Sequence, residues 1–201
     1  MDFNPQEIDQ KAIYKLLTGI VIPRPIGWVS SISEDGIANL APFSFFNAVG
    51  DDPPHVMFSA SASGTANKDT LNNVLTTKEF VVNMVTEALT EKMNMTAHPV
   101  PTHESEFDFA GVTAIASLKV KPPRVKESPV ALECQLVHHY MLEDNKNGGS
   151  TILIGRVVMF HVDDSILLDD YKIDVSAYKP VSRLAGHHYS KLGELFSIKR
   201  T

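Results

Sequence analysis

The sequence predicts a mainly-β fold, a β-barrel with a few peripheral helices. Roughly six or seven segments have the β-branched or alternating composition of strands, and they do not alternate regularly with helices as a parallel sheet requires. The chain has 201 residues, of which 43% are hydrophobic and 21% charged, so it can bury a sizeable core. No shift in composition divides the chain, and we expect a single domain spanning residues 1–201.

The first part of the chain predicts a helix followed by a hairpin. The tetrapeptide NPQE at 4–7 is typical of a capped helix start, so residues 1–22 are predicted to form an N-terminal helical segment. The PRP sequence at 23–25 excludes a helix there, and residues 26–33 have the composition of a strand. The EDG sequence at 34–36 is a hairpin turn signal.

The middle of the chain mixes strands with short helices. Residues 55–61 (HVMFSAS) and 79–85 (EFVVNMV) are predicted strands. Residues 68–77 and 86–97 are predicted helices. Residues 98–109 contain several breaker residues and predict a loop with at most one helical turn.

The last third predicts three long strands and a tail. The strands are residues 115–121, 130–142 and 150–162. Cys134 lies among alternating apolar residues of the second strand, so we interpret it as a small buried hydrophobe and not as a reactive thiol. Residues 165–201 consist of short polar segments, and we expect this C-terminal tail to pack on the domain.

Composition argues against several classes of protein. The net charge is −6 and the basic residues are scattered, which makes nucleic acid an unlikely partner. No run of about 18 apolar residues and no signal sequence is present, so we expect a cytoplasmic protein without membrane contact. A single cysteine permits no internal disulfide, and the histidine spacing supports no metal site. Redox chemistry would therefore need a bound organic cofactor.

Two stretches carry an unusual density of polar and aromatic residues. In residues 38–54, small polar side chains alternate with phenylalanines around a proline, a composition poorly suited to a regular strand. A flat heteroaromatic ligand needs aromatic contacts on its face and hydrogen-bond donors along its edge, which this stretch could supply. The alternative is a core turn in which the phenylalanines pack inward.

The second stretch, residues 59–70, suits a phosphate group. It offers the hydroxyls of Ser59, Ser61, Ser63 and Thr65, the cation of Lys68 and the N–H groups at the start of a predicted helix. Asp69 would repel a phosphate if it pointed the same way, and an ordinary polar loop is the alternative interpretation. The pair His187-His188 is equally consistent with a solvated tail and with a ligand contact.

Taken in order, several fragments resemble the flavin-reductase-like family of FMN-binding split β-barrels, in its flavoredoxin-like branch. The resemblance runs from about Ala12 to Tyr189, and the fragments are PRPIGWVSS at 23–31, NLAPFSFFN at 39–47, DPP at 52–54, KDT at 68–70, FVVN at 80–83 and RLAGHHY at 183–189. The resemblance implies a homodimer of split barrels with non-covalent FMN at or near the subunit interface.

The resemblance also implies a set of cofactor-binding residues. The 39–47 segment would run along the isoalloxazine ring, the serine-rich segment would face the phosphate and ribityl chain, and Arg183 with the 186–189 turn would close over the site. The residues so assigned are Arg24, Trp28, Asn39, Ala41, Pro42, Phe43, Ser44, Asn47, Ser59, Ser61, Lys68, Thr70 and Arg183.

The function implied by the resemblance is an NAD(P)H-dependent flavin reductase in which hydride passes from a nicotinamide to flavin N5. The flavin carries the chemistry, so no catalytic side chain is expected. Arg24, Lys68 and Arg183 are candidates for stabilising the reduced ring, although each could instead have a surface role. The electron acceptor would be a small molecule or a redox partner protein. Alternatives are an electron-transfer flavoprotein that does not oxidise NAD(P)H, and a binding module of the same fold that has lost its flavin.

Overall fold

A computed structural model describes residues 1–61, 69–101, 103–142 and 149–199. The strands are β1 (Arg24–Pro25), β2 (Gly27–Ile32), β3 (Ala38–Phe43), β4 (Phe46–Asp51), β5 (Pro54–Ser61), β6 (Glu79–Met84), β7 (Ala114–Ile115), β8 (Arg124–Val125), β9 (Val130–Leu142), β10 (Ser150–Val162), β11 (Val181–Arg183) and β12 (Tyr189–Lys191). The helices are α1 (Gln10–Ile20), α2 (Asp69–Thr77), α3 (Thr90–Met95), α4 (Glu106–Ala110) and α5 (Val175–Tyr178), with 3₁₀ turns at Glu87–Leu89, Asp164–Ile166 and Asp169–Tyr171.

Seven strands form one antiparallel sheet in the order β3-β2-β6-β9-β10-β5-β4. Its two edge strands, β3 and β4, are joined by only Ser44 and Phe45. Because two residues cannot span a flat seven-stranded sheet, the sheet must curl until its edges meet. The backbone N–H of Ser59 on β5 donates to the Phe45 carbonyl at 2.8 Å, next to this junction. The predicted mainly-β barrel is therefore confirmed.

The barrel interior is filled by aromatic and branched side chains. Phe58 is fully buried, and its ring centroid lies 4.8 Å from that of Phe43 and 5.3 Å from that of Phe80. Cys134 is also fully buried here, as predicted, and burial raises the pKa of its thiol far above the usual range. Gly155 on β10 lies beside Phe80 and leaves the space that this ring occupies.

A second core lies on the outside of β2 and β3. Strand side chains alternate, so Val29 points into the barrel while Trp28 points to the opposite face, where α3 and α4 cover it. Helix α2 also contacts these two strands, but its Leu71 and Val74 belong to the barrel core.

A small sheet of order β1-β11-β12 brings the two ends of the domain together. Arg24 on β1 is the register partner of Arg183 on β11, which in turn pairs with Tyr189 on β12. The two ends of the chain that we predicted as a helical segment and a tail therefore meet beside the barrel. No helix in the described ranges has the length and apolar character needed to span a bilayer.

Three local predictions differ from the structure. The first helix begins at Gln10 and not near Asn4, because Asp9 caps it by accepting from the Ala12 N–H at 2.7 Å. The 38–54 stretch, predicted to be irregular, contains all of β3 and all of β4. Pro42 is tolerated because β3 is an edge strand, where a missing N–H donor leaves no ladder bond unmade.

The third difference is the predicted strand 115–121, of which only Ile115 belongs to β7. The backbone N–H groups that a strand would have used are taken by buried or half-buried carboxylates. Glu133 accepts from the N–H groups of Leu118 and Lys119, and Glu79 accepts from that of Lys121 at 2.9 Å. Side-chain acceptors thus replace a neighbouring strand.

Candidate functional site

The junction between β3 and β4 is the starting point of the site. Ser44 and Phe45 are both half-buried. The Ser44 hydroxyl lies 3.4 Å from Arg24 Nε, which donates to it, and the Arg24 guanidinium carbon lies 5.9 Å from the centre of the Phe45 ring. Since Ser44 Oγ accepts from Arg24, its own proton remains available to donate outward.

Arg24 is buried beneath this junction and ties three segments together. Its side chain is 5% exposed. Nη1 donates to the carbonyls of Thr18 and Val21, both at 2.7 Å, and Nη2 donates to the Leu184 carbonyl at 3.0 Å. The end of α1, the β3–β4 junction and the C-terminal segment are therefore all positioned by one guanidinium.

The charge of Arg24 is not neutralised by a neighbouring acid. Among the residues that the structure describes, no carboxylate lies within ion-pair distance of it. Burial lowers the pKa of the Arg24 guanidinium, Tyr14 opposes this effect, and the positive charge of Arg183 lowers the pKa further. The two arginines are therefore close enough to interact electrostatically.

A cleft of about 200 Å³ opens in front of the junction. Arg183 lies on one wall, with its guanidinium carbon 4.5 Å from the centre of the Tyr189 ring and a hydrogen bond from Nη2 to the Gly186 carbonyl. The Tyr189 hydroxyl donates to Asn94 Oδ1 at 3.0 Å. The full lining is Tyr14, Ile26, Pro42, Ser44, Met93, Asn94, Ala97, Arg183 and Tyr189, with no Asp or Glu among these residues.

Two further predicted residues lie on the outer face of the sheet, beside the junction. Asn47 on β4 is the register partner of Met57, and Ser59, two residues further along β5, is the partner of Ile152. Paired residues point to the same face, and Phe58 between them is buried inside the barrel, so Asn47 and Ser59 share the outer face.

Asn39 and Thr70 instead belong to a buried polar network. With its amide nitrogen turned toward Glu106, Asn39 donates to Oε1 at 3.2 Å and accepts from Thr70 Oγ1 at 2.8 Å. Glu106 Oε2 also accepts from the Leu40 N–H at 2.9 Å. This network anchors the first turn of α2 to β3. Glu106 was missed in the sequence because it lies in a segment predicted as a loop.

Glu106 makes stability depend on pH in a direction that can be tested. Burial foremost raises the pKa of its carboxyl, the bond from Leu40 opposes this, and the charge of Asp69 raises the pKa. A folded-state pKa above the unfolded value means that the protonated form is favoured on folding. The contribution of protonated Glu106 to the free energy of unfolding is complete below about pH 4. It is lost as the pH rises through the folded-state pKa of this carboxyl.

We therefore expect the free energy of unfolding of the wild type, relative to Glu106→Gln, to fall as the pH rises from about 4 to about 7. Urea unfolding of both proteins across this range measures the difference, in which the other carboxylates cancel. A difference that stays constant or rises with pH would contradict the assignment.

Several predicted contacts have little or no surface to offer a ligand. Trp28 is fully buried and its Nε1 donates to Thr96 Oγ1 at 2.8 Å. Phe43 and Thr70 are buried as well. We leave these three residues out of the contacts proposed below.

The remaining predictions for the site fall into two groups. Ala41 is half-buried and packs against the barrel core, and Asn39 is committed to its network. Ser61 ends β5, and its side chain, like the whole of Lys68, lies outside the described part of the structure. Pro42, Ser44 and Arg183 meet at the cleft, Arg24 supports it from below, and Asn47 and Ser59 lie beside it.

Comparison with known proteins identifies the family. A family model described as the flavin reductase like domain matches residues 19–175. An uncharacterized protein of Aquifex aeolicus is 45% identical over 192 residues, covering 95% of each chain. The crystal structure of nitrilotriacetate monooxygenase component B from Bacillus cereus superposes with a TM-score of 0.94 at 40% identity, covering 98% of each chain.

A second solved structure, the 2-nitrobenzoate 2-nitroreductase NbaA of Pseudomonas fluorescens, superposes with a TM-score of 0.89 at 27% identity. The match covers 100% of this chain and 96% of that one. Both the fold and the sequence therefore lead to the same conclusion: this chain belongs to the flavin-reductase-like family of split-barrel proteins.

Proposed function

We propose that this chain binds FMN non-covalently and acts as an NAD(P)H-dependent flavin reductase. The observation that carries the proposal is the cleft at the β3–β4 junction, which combines outward-facing hydrogen-bond donors with an apolar wall. Membership of the flavin-reductase-like family supports a flavin as the cofactor and oxidoreduction as the class of chemistry.

The described residues fit the ring of a flavin. The isoalloxazine has carbonyl oxygens along one edge and an apolar ring at the other. The Ser44 hydroxyl, the Asn47 amide and Arg183 supply donors for the polar edge, while Pro42 and Ala97 supply apolar surface. Phe45, half-buried at the junction, adds an aromatic surface.

The phosphate end of the ligand is supported by fewer described residues. Ser59 presents a half-buried hydroxyl on the outer face, in the position diagonal to Asn47 across the β4–β5 pair. Helix α2 begins at Asp69, and its first turn is held to β3 through Thr70. The placement of the phosphate near Ser59 and Lys68 stays a prediction from the sequence.

Ser44, Asn47 and Arg183 would hold the flavin, and the flavin would supply the redox chemistry between a nicotinamide and an electron acceptor. The chain's own residues place the ring and exclude water. Among the described residues lining the cleft there is no carboxylate or histidine, so none is suited to act as a general base near neutral pH. Arg183 and the Ser44 hydroxyl would stabilise negative charge at the polar edge, as donors do in an oxyanion hole.

The site is proposed to lie at the interface of a homodimer. None of the helices described in the structure packs extensively on strands β9, β10, β5 and β4. The outer face of these strands carries Tyr140, which is 63% exposed. Asn47 and Ser59 lie on the same face. A second copy of the chain would bury this face and close the site, since isologous contact covers the same patch on both subunits. Light scattering that gives the mass of one 22.1 kDa chain would contradict this part of the proposal.

The first test of the function is flavin binding by the purified protein. We expect FMN fluorescence to be quenched on titration and Ser44→Ala to weaken FMN by about threefold to tenfold, because one neutral hydrogen bond is lost. The matched control is Ser176→Ala, an exposed serine on α5 that should leave FMN affinity unchanged. Unquenched FMN fluorescence in the wild type would overturn the proposal.

A second measurement separates reductase activity from electron transfer alone. Stopped-flow absorbance of NADH and of NADPH with the FMN-loaded protein should show flavin-dependent oxidation of at least one donor. A protein that binds FMN but oxidises neither donor would instead be an electron-transfer flavoprotein, reduced by another protein.

A further inference from the structure

A second opening, larger than the cleft at the β3–β4 junction, lies where α5 meets the turn that follows β6. We call it the α5 cavity, and its volume is about 560 Å³. The polar residues that line it include Thr86, Glu127, Ser165, Tyr178, Lys179 and Lys191. None of these residues lines the cleft assigned to the flavin ring. The α5 cavity is therefore a separate opening in the described part of the chain.

Backbone hydrogen bonds bring three segments together around the α5 cavity. The Glu87 N–H, just after β6, donates to the Lys179 carbonyl at 2.9 Å. The Asp174 N–H, just before α5, donates to the Ile166 carbonyl at 2.9 Å. Because backbone groups make these bonds, lining side chains can be replaced without removing the contacts that form the walls.

The hydroxyl of Thr86 is buried without a partner. Thr86 is only 9% exposed, and among the residues that the structure describes no group forms a hydrogen bond with its Oγ1. The hydroxyl does not cap the 3₁₀ turn Glu87–Leu89 that follows it. Buried polar groups are normally hydrogen-bonded, and an unsatisfied one is unfavourable. Since Thr86 lines the α5 cavity, a ligand bound there can supply the missing partner.

Two further hydroxyls line the same cavity. Tyr178 is half-buried, and its hydroxyl also has no hydrogen-bond partner within the described ranges. Burial raises the pKa of Tyr178 to about 12, so this hydroxyl keeps its proton and can donate it at neutral pH. Ser165 adds an exposed hydroxyl. The α5 cavity thus offers several hydroxyl donors to a ligand.

The charged residues of the lining leave one cation and one anion for a ligand. Lys191 Nζ lies 2.6 Å from Glu87 Oε2, so these two charges neutralise each other. Lys179 is exposed and has no carboxylate within ion-pair distance in the described chain. The Glu127 carboxylate accepts from the Thr113 hydroxyl at 2.8 Å and keeps lone pairs for further donors.

We propose that the α5 cavity binds the phosphate monoester of a small polyhydroxy compound, a sugar phosphate. Lys179 and the hydroxyls of Thr86 and Tyr178 contact the phosphate, whose three terminal oxygens accept from several donors at once. Glu127 accepts from hydroxyls of the sugar, as acidic side chains do with ribose. This inference goes beyond the proposed function, since it needs neither a flavin nor a nicotinamide.

Ribose 5-phosphate, ribose and inorganic phosphate are the probes for the α5 cavity. In isothermal titration calorimetry, ribose 5-phosphate should bind at least tenfold more tightly than ribose, which lacks the charge-assisted bonds. It should also bind more tightly than inorganic phosphate, which has no sugar hydroxyl for Glu127. The absence of ribose 5-phosphate binding in the millimolar range, or an affinity no greater than that of either other probe, would overturn the assignment.

Replacing the cation tests its role directly. Lys179→Met should weaken ribose 5-phosphate by about tenfold or more, because the charged donor to the phosphate is lost. The matched control is Lys78→Met. Lys78 is likewise exposed and has a left-handed φ of +62°, against +49° for Lys179, but it lies at the opposite end of β6 from Thr86. Equal losses of affinity in the two variants would reduce the effect to net charge and would overturn the proposal.

Replacing the hydroxyls distinguishes ligand binding from a structural role. Thr86→Val and Tyr178→Phe should each weaken ribose 5-phosphate by about threefold to tenfold, while Tyr171→Phe, at a residue that is 94% exposed, should leave the affinity unchanged. Thr86→Val should not lower the Tm of the ligand-free protein, because the hydroxyl bonds to nothing in the described chain. A lower Tm with unchanged affinity would show a structural role and would overturn the proposal.

Titrations with and without FMN separate this site from the proposed function. Ribose 5-phosphate should bind with the same affinity in both cases and should not release FMN. Displacement of FMN would identify the α5 cavity as the place of the flavin phosphate, and would overturn the second site while supporting flavin binding. Binding that depends on Lys179 in a protein that fails to quench FMN fluorescence would uphold the second site and overturn the flavin function.

Discussion

Replacing Gly155 by alanine should lower the free energy of unfolding by about 3 kcal/mol, because the added methyl group has no space in the barrel core. A Cβ at this position would overlap the ring of Phe80 and would lie 3.1 Å from Cβ of Cys134. Both neighbours are fully buried, and Phe80 is held by its edge contact with Phe58, so neither can move without disturbing the interior.

Urea unfolding followed by circular dichroism measures this effect. Gly193→Ala is the matched control, since nothing lies within 4 Å of a Cβ there, and it should change stability by less than about 0.5 kcal/mol. Reducing the ring in Phe80→Leu should offset part of the cost, so the double variant Gly155→Ala/Phe80→Leu should be more stable than the sum of the single effects indicates. Strict additivity would show that the two residues are not in conflict.

The parts of the fold predicted from sequence are those with local signals. The strands β2, β5, β6, β9 and β10 show as runs of β-branched and aromatic residues, and the turn at Gly36, which has φ +85°, shows as a glycine preceded by two acids. These patterns depend on neighbours in the chain, so they can be read without knowing the partners of each strand.

The parts that could not be predicted depend on distant partners. Barrel closure through Ser44 and Phe45 requires the order of all seven strands, which no local pattern contains. Residues 115–121 have strand composition, but their N–H groups bind the carboxylates of Glu133 and Glu79 from elsewhere in the sequence. The cap at Asp9 competes with the capping box at 4–7, and only the structure shows which one starts the helix.

The residues of the candidate site were likewise only partly predictable from the sequence. Ser44, Pro42 and Arg183 were identified from motifs and are brought together at the cleft, although their contacts with a cofactor remain predictions. Tyr189 lies in the fragment at 183–189 that was expected to close over the site. Tyr14 and Asn94 come from separate helices and have no motif of their own. The burial of Arg24 and Trp28 could not be predicted from the sequence either. Arg24 lies on β1 and Trp28 on β2, and the sequence does not show which face of each strand is buried.

The burial of Arg24 leads to the second large effect. Arg24→Met should lower the free energy of unfolding by about 2–3 kcal/mol. One buried carbonyl loses its charged donor, which costs about 1–3 kcal/mol, and two half-buried carbonyls lose theirs at a smaller cost, partly offset by the removal of a buried charge. The carbonyls belong to Thr18, Val21 and Leu184, so the loss should release the end of α1 and the C-terminal segment together.

A lower free energy of unfolding would not by itself distinguish the loss of these hydrogen bonds from the loss of a positive charge. Two comparisons make the distinction. Lys126→Met removes an exposed charge just after β8 and should change stability by less than about 0.5 kcal/mol. Limited proteolysis should cut Arg24→Met, but not Lys126→Met, near residues 18–24 and 184–191, where the lost bonds had held the chain. Cleavage patterns identical to the wild type would mean that the carbonyls find other partners. A positioning role for Arg24 further requires that its loss weaken FMN at the cleft, because Ser44 is held by the same guanidinium.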